Sequence, residues 1–543
     1  MEYGQPPGAR LPGRADLPPR PGRLAGGLLV AGAIDGLVAL VFWSILATAA
    51  AAPGNGASPD IAHLLRMTAI QAGLTTVLSL LVGTALAWAL NRLRFFGRDA
   101  VVGLFATAIV TPGVVVAFGI LAVWGRSGWI NQLSEALSDT PWGQPAFGLG
   151  GILAAHLILD GAFAARLLLA RLDAIPEMRL KTGQSLGLSA WQRFRLVDWP
   201  ALRGSLPGLA AIIFLLAFTS FPIVLLLGGG PANQTLEVAI YSAVRLDFDL
   251  RAAVSLALVQ IGVCSLVILA SAGFSAVPAH LEPSRGRHWA DRAPARLLQA
   301  LILGICLLGF VLPLLAVLVQ GLGPGLLPLL ARPGFWAATG TSLAIGGASA
   351  ALALALALLL SLARAATGAP LLRLALTLPA FTYLAVPAVV LGLGFFLLVR
   401  NAGLDPAAFA PVVVVVGNAL LALPFAVAAL SPPLEAIVRR QGRLIRAVGL
   451  RGLLQFRLVE WPLIGRDFGV ALALAFCFSL GDLGLVSLFG TDDFVTLPLL
   501  MVRALGAYRT GDAGAIAALM LLLTLAAFTL LPRLFERIAH ARP

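Results

Sequence analysis

The chain has little charge, few cysteines and histidines, and a single lysine, Lys181. Each shortage removes a class of protein. With 12% charged against 59% hydrophobic residues over 543 positions, and a mean hydropathy of +0.94, it is too apolar for a soluble globular fold. Cys264, Cys306 and Cys477 fall within apolar runs and lack ligand-like spacing, so neither a disulfide framework nor a metal site is implied. His63, His156, His280, His288 and His540 are scattered, without the convergent His, Ser or acidic set that a membrane-embedded enzyme needs. No GxxxxGK[ST] loop is present, which removes the usual route to ATP hydrolysis. The net charge of +13 would suggest nucleic acid in a soluble chain. Here the arginines sit in short links between apolar runs, where they report membrane topology.

What is present is a repeat. Leu172 to Pro200 reads LDAIPEMRLKTGQSLGLSAWQRFRLVDWP, and Leu434 to Pro462 reads LEAIVRRQGRLIRAVGLRGLLQFRLVEWP, at a constant offset of 434 − 172 = 262. Both copies keep a Gly-Leu pair (Gly187-Leu188, Gly449-Leu450), then Phe-Arg-Leu-Val, an acid, Trp and Pro. Such duplications decide the architecture of a chain. Each copy is polar and Arg-rich between apolar runs, which predicts a short helical hairpin outside the bilayer. One helix ends near the Gly, and a second runs to the Trp-Pro, where Pro stops or redirects it.

Residues 1–23 are rich in Pro, Gly and Arg and read as a disordered cytoplasmic tail. Apolar runs long enough to span a bilayer lie at about 24–49, 68–90, 101–124, 147–170, 204–228 and 251–274. After an Arg- and His-containing link they resume at about 297–320, 338–362, 374–399, 409–430, 467–490 and 514–532. The repeated segment falls between the fourth and fifth run each time. Alternate links carry the arginines, which places both termini and both hairpins in the cytoplasm. The expected fold is an all-α polytopic membrane protein of about 12 transmembrane helices in two parallel six-helix repeats, 24–280 and 297–543, joined by a cytoplasmic linker at 281–296.

Asp35, Asp160 and Asp482 fall inside apolar runs, and an ionisable residue there is a functional candidate by default. Asp35 and Asp160 can also be explained by a place near a helix end or a local partner such as Arg166. Asp482 lies about midway in its run between Gly481 and Gly484, and its counterpart one repeat earlier is Ser220, flanked by Phe218 and Phe221. A solute pathway between the halves would use these four positions, Asp482, Ser220, Phe218 and Phe221. Asp482 can equally be a structural acceptor for a neighbouring helix.

The Gly followed at fixed distance by an apolar residue, two further residues and Pro resembles the EAA loop of bacterial ABC importer permeases. Here it is Gly187 with Val197 to Pro200, and Gly449 with Val459 to Pro462. The family's Glu-Ala-Ala is replaced by Lys181-Thr182-Gly183 and Arg443-Leu444-Ile445. The stretches GGGPANQTLEVAIYSAVRLDFDLRAAVSLALVQ (Gly228 to Gln260) and SLGDLGLVSLFGTDDFVTLPLLMVRALGAYRTGD (Ser479 to Asp512) are similar to the fused permease subunits of thiamine ABC importers. The resemblance implies a type I importer permease fold in a bacterial inner membrane. It implies coupling loops at 172–200 and 434–462, with Gly187, Leu188, Pro200, Gly449, Leu450 and Pro462 meeting two copies of a cytoplasmic ATPase subunit. ATP and Mg belong to that subunit, and this chain carries no cofactor. A periplasmic thiamine-binding protein would deliver solute to the links Gly228–Arg251 and Gly490–Asp512. Two other readings stay open. Fused ferric-iron importer permeases share this layout, and an ion-coupled secondary transporter would also show repeats and buried acids.

Overall fold

The computed structural model describes residues 21–51, 59–138, 140–141, 143, 145–271, 289, 291–382 and 386–541. Of the expected tail at 1–23, residues 1–20 lie outside them and 21–23 are helical; linker residues 281–288 and 290 also lie outside. Every regular element among the described residues is helical. In hydrocarbon each backbone N–H and C=O must be satisfied within its own segment, and Ala- and Leu-rich runs do so as helices.

The helices of the N-terminal half are α1 (Pro21–Ala51), α2 (Ile61–Arg92), α3 (Arg98–Ala106), α4 (Gly113–Trp124) and α5 (Trp129–Ser138). Then come α6 (Leu149–His156), α7 (Ala162–Asp173), α8 (Glu177–Ser185), α9 (Ala190–Arg193) and α10 (Trp199–Arg203). This half ends with α11 (Leu206–Phe218), α12 (Pro222–Leu227), α13 (Leu236–Arg245) and α14 (Leu250–Ser271). The C-terminal half begins with α15 (Ala293–Gly321), α16 (Leu326–Leu330), α17 (Pro333–Ala365), α18 (Pro370–Thr382) and α19 (Ala388–Asn401). It continues with α20 (Pro406–Ala447), α21 (Gly452–Gln455), α22 (Trp461–Leu480), α23 (Gly484–Phe489), α24 (Leu497–Gly506) and α25 (Thr510–His540).

Among the described residues ten helical stretches are long and apolar enough to cross a membrane, and eleven if a pair bent by 59° at Gly204–Ser205 counts as one. Twelve were expected from hydropathy. The difference comes from backbone breaks. The run at 204–228 holds only the second member of the bent pair, α11, followed by α12, and the run at 374–399 divides into two shorter helices on either side of Pro387. Proline has no N–H and disfavours helix in the residue before it, so an apolar run can continue where the helix cannot.

The first long helix of each half packs on the other half. On α1, Ser44 donates to the carbonyl of Gly394 in α19 at 2.9 Å. On α15, the backbone of Pro313 lies against Gly119 of α4, where an added Cβ would come within 2.8 Å of the carbonyl oxygen. Small residues permit such close approach, which in lipid is a main source of helix adhesion.

Candidate coupling hairpins and helix breaks

Both copies of the repeated segment close in the same way. Gly187 has φ +64° and Gly449 φ +72°, the left-handed region that costs glycine nothing. The Leu188 N–H reaches the Gly183 carbonyl at 3.2 Å and the Gly187 N–H that of Gln184 at 3.0 Å. The Leu450 N–H reaches Ile445 at 3.1 Å and the Gly449 N–H reaches Arg446 at 3.0 Å. Each turn is a Schellman motif that satisfies the last carbonyls of the preceding helix. Nothing lies within 4 Å of a Cβ built on either glycine, so what the glycine supplies is the backbone angle.

After the turn, a short helix widens into one π turn, Phe194–Asp198 or Phe456–Glu460, and then continues through Trp-Pro. Of the expected stop or redirection at Pro, the stop is corrected here. Pro200 lies in the first turn of α10 and Pro462 in the first turn of α22, where a missing N–H and a fixed φ are tolerated. The π turn directs the acid that both copies carry inward, so Asp198 and Glu460 are each 1% exposed.

The two acids find different partners. Asp198 is paired with Arg92, the last residue of α2, in a bridge that is buried on both sides. Burial pushes the Asp198 carboxyl up to about 6, against the opposing pull of Arg92. Glu460 receives Nη1 of Arg23, at the start of α1, at 2.6 Å, and also the amide of Gln455. On the first hairpin Arg193 stands over the ring of Trp289 at 4.0 Å and donates to its carbonyl at 2.6 Å. Asp291 lies 3.8 Å from both Arg92 and Arg193.

Both hairpins lie at one end of the bundle. Hairpin 172–200 meets the start of α15 through Asp291, and the far end of α15 meets the start of α25, with Gly321 against Ala518 and Gly514. α25 then runs back to the second hairpin, where Gly465 packs on Ala539. At that end large apolar side chains stand free: Met178, Leu186, Trp191 and Leu196 on one hairpin, Leu444, Val448, Leu453 and Leu454 on the other. Leu188 and Leu450 are half-buried beneath the turns, Pro200 is exposed and Pro462 half-buried.

Deeper in the bundle, four helices break near one another. α11 and α12 are separated by Thr219–Phe221, and α22 and α23 by Gly481–Leu483, again 262 positions apart. Pro112, before α4, touches Gly481, and Ala388, at the start of α19, touches Gly484; added Cβ atoms would lie 2.9 and 2.8 Å away. Asp482 is partly exposed and caps α23, accepting from the N–H groups of Gly484 at 3.1 Å and of Leu485 and Val486 at 3.4 Å. A carboxylate there also complements the helix dipole. Asn418 of α20 hydrogen-bonds Ser479 at 3.0 Å on the same side. Ser220 is buried at the corresponding break. Phe218 and Phe221 are buried as well, Phe218 stacked on Phe214 and Phe221 against Tyr241.

Of the other intramembrane acids, Asp35 is exposed on the outer side of α1, and Asp160 pairs with His156 at 2.9 Å rather than with Arg166. Sequence reading passed over Glu237, which is buried in α13 beside these breaks. Its signal was faint: one acid at the start of a short segment that is otherwise mostly apolar.

The chain is thus helical and membrane-spanning, with paired hairpins at one end and broken helices at its centre. Over 518 residues, 93% of each chain, it is 38% identical to the thiamine transport system permease protein ThiP of Brucella melitensis biotype 1. It is 38% identical over 478 residues, 87% of this chain and 89% of the relative, to the protein of the same name from Escherichia coli K12. Over 176 residues, 32% of this chain and 76% of the relative, it is 32% identical to the molybdenum transport system permease protein ModB of Azotobacter vinelandii. No protein-family model matches the chain. The chain belongs to the family of thiamine transport system permeases.

Proposed function

We propose that this chain is the membrane subunit of an ATP-driven importer that moves thiamine, its phosphates, or both from periplasm to cytoplasm. The similarity to thiamine permeases over 93% of the chain carries the choice of solute. The matched hairpins support the mechanism: each combines a rigid glycine turn with exposed apolar side chains, which suits docking of a separate ATPase. In this reading the six runs of each half form one repeat, twelve spans in all, with both termini and both hairpins cytoplasmic. Two ATPase subunits carry ATP and Mg and close on nucleotide, drawing together the surfaces around Gly187, Leu188 and Pro200 and around Gly449, Leu450 and Pro462. The long helices transmit that motion to the breaks at Ser220 and Asp482, opening the pathway alternately to either side. A periplasmic binding protein delivers solute at the links Gly228–Arg251 and Gly490–Asp512.

The test is uptake of labelled thiamine by vesicles containing this chain, its ATPase subunit and the binding protein. Uptake should require all three components and ATP. Accumulation driven by an ion gradient alone, or of ferric iron in place of thiamine, would overturn the reading.

A further inference from the structure

Glu237 is fully buried in the first turn of α13. Its Oε1 accepts the side-chain amide of Gln260, on α14, at 3.0 Å, and its carboxyl lies beside the backbone N–H of Val389 in the first turn of α19. Oε2 has no partner, and neither has Oε1 of Gln260. The titratable groups that act on it are Asp482, next to α23, and Cys264, on α14. Among the described residues no Lys, Arg or His forms an ion pair with it. A buried carboxylate without a counter-ion is costly, and a second carboxylate in range adds repulsion. The carboxyl at this place is neutral while it holds its proton, and a cation there would take the proton's place.

The acid is not needed to build this part of the chain. Thr235-Leu236-Glu237 has a close counterpart in Thr496-Leu497-Pro498. Leu236 donates its N–H to Oγ1 of Thr68 at 3.0 Å, and Leu497 donates to Oγ of Ser342 at 2.7 Å. The same local construction therefore stands with proline in place of the acid. Asp482, for its part, has its oxygens engaged by three N–H groups of α23. The free acceptor capacity of the pair is on Glu237.

We propose that Glu237 is a specificity residue for a cationic solute. With Asp482 it forms a two-carboxylate subsite where α13, α19 and α23 meet, completed by the positive charge of the solute. Asp482 is the partly exposed member and Glu237 the buried one. Oε2 of Glu237 and Oε1 of Gln260 supply unused acceptors behind it. This rests on the transport of thiamine, whose thiazolium ring carries a permanent positive charge.

The experiment uses the complete transporter in vesicles, with the binding protein saturated by labelled thiamine so that its affinity does not enter the rate. Glu237→Gln keeps the shape and the Oε1 acceptor for helix capping and removes the charge. Glu237→Asp keeps the charge and shortens the reach. A charge role predicts that the Gln variant loses on the order of tenfold in rate while the Asp variant stays near wild type. A capping role predicts the reverse. Loss in both variants, or in neither, also overturns the proposal. If the Gln variant fails to assemble, the Asp variant decides: retained uptake supports the subsite, and lost uptake overturns it. A wild-type transporter that does not carry thiamine would refute the transport reading itself, and that outcome is distinct from all of these.

Discussion

The two hairpins share a turn and differ in what holds them. At the position where the second has Ile445, buried and filling its own space, the first has Gly183, and the ring of Trp289 occupies the place: a Cβ on Gly183 would come within 2.9 Å of it. Where the second has Gln455 bonded to Glu460, the first has Arg193 bonded to Trp289. The first hairpin is thus completed from outside by the residues leading into α15, and the second by Arg23 at the start of α1. Each is gripped by the opening of the other half's first long helix. The turn, the π turn and the inward acid stay the same in both copies while the anchors diverge. The turn geometry is held in both copies, and the chemistry behind it varies.

That comparison breaks most sharply at the acids. Arg92→Ala should destabilise the detergent-solubilised protein by about 3–5 kcal/mol, because it strands the buried Asp198. Arg23→Ala should cost less, about 1–3 kcal/mol, since Arg23 is partly exposed and Gln455 continues to donate to Glu460. Thermal melts of the two variants would show the order, and an equal or reversed loss would remove the difference in anchoring argued here.

The linker contact comes next. Trp289→Ala removes the ring over Gly183 and the cation–π contact with Arg193, a loss of about 2 kcal/mol. Amide exchange should rise in 177–198 and stay unchanged in 439–460. A rise in both hairpins would mean that the anchors are shared.

The smallest effect should be symmetric. Gly187→Ala and Gly449→Ala each place a side chain on a left-handed residue, at about 1–2 kcal/mol apiece. Because the space around both is open, the penalty should be alike, and solute moved per ATP hydrolysed should fall to a similar degree in either variant. A variant that loses coupling at only one glycine would show that the two hairpins are not used equally.

The sequence by itself determined the membrane class, the all-helical character, the duplicated segment and the two glycines that close its turns. These are local properties: hydropathy averages over twenty neighbours, and a left-handed turn selects glycine from its own φ. The sequence also put Asp482 in the middle of an apolar run, but that it caps α23 depended on the break at Gly481–Leu483, which hydropathy does not register. The passage of the helix through Trp-Pro was hidden for a related reason, since the π turn that accommodates it is a property of the backbone path. Only the tertiary structure decided the anchors and the burial of Glu237. Arg23 and Glu460 are 437 positions apart, and a bond over that distance leaves no trace in the residues near either end. Glu237 looks like any surface acid until α14, α19 and the Asp482 break close around it, because burial is set by neighbours distant in sequence.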